Sequence, residues 1–83
     1  MNFSPGEFVR LSDYFYDDIL KGKEYNRVYT TTKPSDQTYF PVRTGTMGIY
    51  LERERTGKNF EWGRVLFPGG VGWVDMGSLE RVE

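Results

Sequence analysis

At 83 residues and 9.7 kDa the chain is one small domain, of the size that buries only about 60% of its unfolded surface, too little to line a deep catalytic cleft. It contains no Ala, His or Cys, but 10 Gly, 6 Tyr, 6 Phe and 2 Trp, so a helical bundle, a disulfide scaffold, Cys or His metal sites and Cys- or His-based catalysis are excluded. With a formal net charge of −1 it has no bulk attraction for nucleic acid or an anionic membrane.

Ser4-Pro5-Gly6 is a turn signal that leads into a strand, Glu7 to Ser12, in which Val9 and Leu11 face inward. The opposite parity would bury Arg10 without a partner. The opening residues lack the basic-then-apolar pattern of a secretion signal and no apolar run is long enough to span a bilayer. A soluble cytoplasmic protein is therefore the expectation, and no membrane is expected among its partners.

Residues 13–44 are too long for a structureless loop in a compact domain, so they are read as an excursion with structure of its own. Asp17 to Lys21 reads as one helical turn stopped by Gly22. Tyr25 to Thr32 and Gln37 to Arg43 are the arms of a hairpin around the turn cluster Lys33-Pro34-Ser35-Asp36, and Pro41 marks the second arm as an edge strand.

Thr44 to Glu54 alternates, with Met47, Ile49 and Leu51 on one face and Tyr50, Glu52 and Glu54 on the other. After a turn at Thr56 to Asn59, Glu61 to Phe67 forms the next strand, with Val65 and Phe67 on one face and Trp62, Arg64 and Leu66 on the other. Pro68-Gly69-Gly70 turns the chain into a short strand, Val71 to Asp75. Met76-Gly77-Ser78 is a single tight turn, and Leu79 to Val82 closes the pattern. Short strands, tight turns and a long first loop predict an all-β chain folded as one small five-stranded barrel over residues 1–83, with a hairpin excursion in that loop.

These residues carry a family likeness. Glu61-Trp62 opening a strand, then Gly72-Trp73-Val74, then Leu79 five residues after Val74 beyond one tight turn resemble an SH3-like barrel of the small bacterial or phage type. The likeness covers residues 6–14 and 44–82; the excursion has no counterpart in it. Asp75 stands where the SH3 pattern has a ligand-contacting Pro, and Ser78 where it has a Tyr. The resemblance therefore implies the fold without the proline-rich peptide groove. It also implies a non-catalytic protein-binding or assembly module, located in the cytoplasm or, if phage-encoded, in a virion. A more distant likeness, to the barrel that caps the cytoplasmic face of photosystem I, rests on Val9-Arg10-Leu11 and the Tyr14-Phe15-Tyr16 cluster.

Candidate partner-binding residues follow from chemistry. Trp62 and Trp73 are large outward aromatics of the kind binding surfaces use; the alternative is that they close the barrel ends against Tyr14, Phe15 or Tyr16. Asp17 and Asp18, beside Tyr14, Phe15 and Tyr16, could pair with a basic partner side chain, or could simply begin a helical turn. Tyr50 joins the set as an aromatic beside Trp62. Gly45-Thr46-Met47-Gly48 resembles the core of KOW motifs, which would imply a nucleic-acid surface assembled from Arg27, Arg43, Arg53, Arg55, Arg64 and Lys58. Glu52, Glu54 and Glu61 interleave with these cations and weaken that reading. Glu52-Arg53-Glu54-Arg55 reads as cross-strand ion pairing rather than acid-base machinery, because the neighbouring arginines favour ionisation of both acids. No catalytic residue, metal site or cofactor is expected; a protein partner is, and the hairpin edge from Tyr39 to Val42 is the first candidate for homo-oligomer contact.

Overall fold

The alternating segments become strands because each can turn a β-branched or aromatic face into one shared core. The computed structural model describes residues 3–12, 25–33, 38–56 and 60–82. Within them run β1 (Phe8–Leu11), β2 (Tyr25–Tyr29), β3 (Tyr39–Arg43), β4 (Met47–Thr56), β5 (Phe60–Phe67), β6 (Gly70–Asp75), a 3-10 turn (Met76–Ser78) and β7 (Leu79–Arg81). All pairings are antiparallel, and the seven strands form one sheet in the order β3-β2-β6-β5-β4-β1-β7 that curls into a half-barrel. The excursion hairpin, β2 and β3, does not stand apart from a five-stranded body but extends the sheet beyond β6. The helical turn expected at Asp17–Lys21 lies outside the described residues.

Every strand contributes to the core: Val9 and Leu11, Val28, Val42, Tyr50, Val65 and Phe67, Val74, and Leu79. Val9, Leu11, Val28, Val65 and Phe67 are essentially removed from water, each worth roughly 1.5–3 kcal/mol of transfer free energy. The parities expected for β1 and β5 hold, with Val9, Leu11, Val65 and Phe67 inside.

The grouping of Tyr50 with Glu52 and Glu54 does not hold. Tyr50 stands opposite Val65 and Glu52 opposite Arg64, so the ladder shifts register between them and Leu51 is the extra residue of a bulge. Tyr50 turns into the core while Glu52 and Glu54 turn out. Met47 and Ile49 therefore face outward on the first half of β4, and Gly48 faces inward. A Cβ there would stand 2.6 Å from Val65 Cγ1 and 2.8 Å from the Leu66 carbonyl oxygen, so the glycine that suggested a KOW motif answers a packing demand.

The hairpin docks through its inner side. Val28 lies opposite Phe40, and both rest over Gly72, where a Cβ would come within 2.3 Å of Val28 Cγ1 and 3.2 Å of Phe40 Cε1. Ladder pairing between β2 and β6 is confined to Tyr29 opposite Trp73. β3 is an edge strand, as Pro41 implied. The Thr30 amide donates to the Thr38 carbonyl at 3.0 Å, so alternation puts the Pro41 nitrogen on the open side, where its missing N–H costs no ladder bond.

Candidate functional site

With one face of the sheet spent on the core, the outer face is where functional side chains gather. The ladder sets Glu52, Arg64, Trp73, Tyr29 and Tyr39 opposite one another across β4, β5, β6, β2 and β3. Two residues along β5, Trp62 lies between Glu54 and Asp75. Sequence periodicity alone sends Trp62 and Trp73 outward, because Gly63, Val65, Gly72 and Val74 occupy the buried positions of β5 and β6.

The rings form a continuous chain. Tyr39 meets Tyr29 at 5.8 Å between centroids, Tyr29 meets Trp62 at 5.7 Å, and Trp62 meets Phe60 at 4.7 Å. Interplanar angles of 61°, 76° and 61° make every contact edge-on or strongly tilted. A flat platform for stacked bases is not what such angles build; they leave ridges and notches suited to side chains. Trp62 is half-buried, and its indole N–H donates to the Thr56 hydroxyl at 3.0 Å, which holds the ring orientation. Trp73 is half-buried beneath the Arg64 guanidinium, 5.8 Å above its ring. Arg27 stands over Tyr39 at 4.7 Å, and a side-chain hydrogen bond with Tyr29 pushes its guanidinium above the ordinary arginine value.

Acids pair with cations on both sides of β4 and β5. On the outer face Arg64 pairs with Glu52 at 3.1 Å; on the other parity, shared with Gly63, Glu61 receives both Arg55 at 2.8 Å and Arg53 at 3.5 Å. The hydrogen bond from Arg55 holds the Glu61 carboxyl below the usual carboxylate range. Glu54 accepts from the Thr32 hydroxyl, and Asp75 accepts from the Gly77 amide at 2.7 Å to cap the 3-10 turn. The cross-strand ion pairing expected of Glu52 to Arg55 is present, and the arginines proposed to gather for nucleic acid are interleaved with acids. Lys58 lies outside the described residues.

Of the candidate binding residues, Trp62 and Trp73 reach the outer face. Tyr50 does not: it is 3% exposed, packs on Phe3 at 5.4 Å, and its burial pushes the phenol above its ordinary value. The β4 bulge is the physical reason, since it turns Tyr50 away from Glu52 and into the core. Tyr14, Phe15, Tyr16, Asp17 and Asp18 lie outside the described residues. Sequence reasoning missed Tyr29 and Phe60 and named Tyr39 only as part of the hairpin edge; Tyr25 and Tyr29 on one face of the first arm were the available signal. Among the described residues no helix is long and apolar enough to cross a membrane, and no group of three or more acids is gathered as a metal ion would require. No family model, curated protein or solved structure matches the chain.

Proposed function

We propose that this chain is a non-catalytic SH3-like module that binds another protein through the outer face of its sheet. The strand body β6-β5-β4-β1-β7, with one 3-10 turn before its last strand, supports the fold reading. So does the common core occupied by Val74 and Leu79, the two aliphatics whose spacing carries the resemblance.

One observation carries the binding reading: the ring chain Tyr39, Tyr29, Trp62, Phe60, with Trp73 beside it, is on the solvent side of strands that already have a core. Aromatic anchors with a paired charge beside them, as Arg64 with Glu52 is here, are what protein interfaces concentrate. The KOW-like alternative would need cations free to meet phosphates, whereas Arg64, Arg53 and Arg55 are bound to Glu52 and Glu61.

Affinity capture with wild-type chain beside Trp73→Ala and Trp62→Ala variants tests the reading. The expected result is a discrete protein retained by the wild type and lost by both variants, with near-ultraviolet circular dichroism showing intact folds. Retention of the same protein by both folded variants would sink it. So would a mobility shift of single-stranded nucleic acid at low salt that vanishes as salt rises.

A further inference from the structure

A second feature of the outer face lies one step along the strands from the aromatic chain. Phe8, Ile49, Leu66 and Val71 stand opposite one another across β1, β4, β5 and β6, so an unbroken apolar row crosses the sheet on the side away from the core. Phe8 is 57% exposed, Leu66 42% and Val71 39%, and Met47, on the same face diagonal to Phe8, is 50% exposed. Single exposed apolar residues are ordinary; a cross-strand row of them is a contiguous patch of roughly 300–400 Å², within the range of the largest apolar patch on a typical monomer, which is often functional.

We propose that this row is the contact face of a homodimer, covered by the same row of a second copy of this chain. Its rims argue for that occupant. On one side Arg10 pairs with Glu80 at 2.8 Å; on the other Arg64 pairs with Glu52 at 3.1 Å. Each rim holds one cation and one anion. A two-fold axis running along the row lays the Arg10 and Glu80 rim of one copy against the Glu52 and Arg64 rim of the other. Arginine can then meet glutamate across the interface, with no excess of like charge. With a net charge of −1 per chain, association of two copies costs little long-range repulsion.

Other occupants fit the row less well. A nucleic acid draws its affinity from an excess of cations over anions, and each rim holds as many glutamates as arginines. An anionic bilayer calls for a basic rim, and these rims are neutral. The open edge of β3, the first candidate for self-contact on sequence grounds, presents Pro41 at its centre, where a pairing strand would need a donor. The apolar row supplies about half of the ~800 Å² per partner typical of stable interfaces, so the rims complete the contact and the dimer is concentration-dependent.

Sedimentation velocity on the full chain, from about 10 μM to about 1 mM, tests this in the range where such a contact associates. The expected result is a weight-average mass rising from 9.7 kDa towards twice that value. Leu66→Glu, and separately Phe8→Glu, should weaken association about tenfold or more by placing a carboxylate in the contact, with far-ultraviolet circular dichroism confirming the fold. Tyr39→Ala, in the aromatic chain but away from the row, should associate as wild type does, which keeps this result separate from the binding role proposed above. A wild type that stays monomeric at the highest concentration would overturn the proposal, as would association surviving both glutamate variants. Loss in Tyr39→Ala, or co-sedimentation with anionic phospholipid vesicles or a single-stranded oligonucleotide that Leu66→Glu abolishes, would reassign the face.

Discussion

Gly72→Ala tests the joint that places the hairpin, and with it half of the aromatic chain. The new methyl would sit 2.3 Å from Val28 Cγ1, 3.0 Å from the Tyr29 carbonyl oxygen and 3.2 Å from Phe40 Cε1. Val28 is fully buried and has no empty side to retreat to, and the Tyr29 oxygen is backbone, so relief means lifting β2 and β3 off β6. Overpacking of this kind costs about 1–3 kcal/mol, and for a domain of this length each kcal/mol lowers the melting midpoint by about 4–8 °C. A drop of about 5–20 °C is expected. Hydrogen exchange should localise the damage, with the Thr30 amide, bonded to Thr38 across the hairpin, losing protection before the amides of β5. Val28→Ala removes the methyl nearest the clash, so the double variant Gly72→Ala/Val28→Ala should cost less than the two single changes added together. A strictly additive pair, or a Gly72→Ala chain melting within about 2 °C of wild type, would refute the account of the joint.

Glu7 and Glu61 are held below the ordinary carboxylate value of 4.5, first by their hydrogen bonds to Arg81 and Arg55. Their contribution to stability is therefore complete above about pH 4.5 and lost as pH falls through the lower folded values; the melting midpoint should fall on acidification, with a shallower slope in Arg55→Gln/Arg81→Gln. Pro41→Val restores an N–H to the open edge of β3, and light scattering on warming should report earlier aggregation than wild type. Deleting Leu51 leaves Tyr50 opposite Val65 and Glu52 opposite Arg64 but removes the bulge; a destabilisation of at least ~1 kcal/mol in urea melts is expected, because the sheet loses bend that helps bring β1 and β7 over the core.

Much of the fold was legible because most strands obey strict alternation. Val9 and Leu11, Val65 and Phe67 each lie on the face their spacing assigns, and Pro41 correctly announced an edge strand. The second strand of the body defeated the same logic. Nothing local to Tyr50-Leu51-Glu52 signals an extra residue; the bulge is visible only against the register of β5, where Gly63, Val65 and Phe67 also take inward positions. Docking of the hairpin was hidden for a similar reason. Its seat is Gly72, a residue whose contribution is the absence of a side chain, so no pattern in β2 or β3 points to β6. Tyr29 and Tyr39 consequently had no assigned neighbours, and of the ring chain only Trp62 could be read, with Trp73 beside it.

The bulge also accounts for the division of the outer face. An unbroken β4 with Tyr50 inside would set Glu52 opposite Gly63 and Glu54 opposite Glu61 on the core-facing parity, the second of these a pair of like charges. One extra residue turns those acids outward, where Glu52 meets Arg64 and closes one rim of the apolar row. Ahead of the bulge, Ile49 stands opposite Leu66 on the outer side, with Phe8 and Val71 completing the row. The curled sheet needs Tyr50, Val65 and Phe67 on its inner side, but nothing in its packing requires Phe8, Leu66 and Val71 to be apolar on its outer side. Their exposure is a cost to solubility with no return in the isolated fold, and the proposed contact with a second copy would offset it.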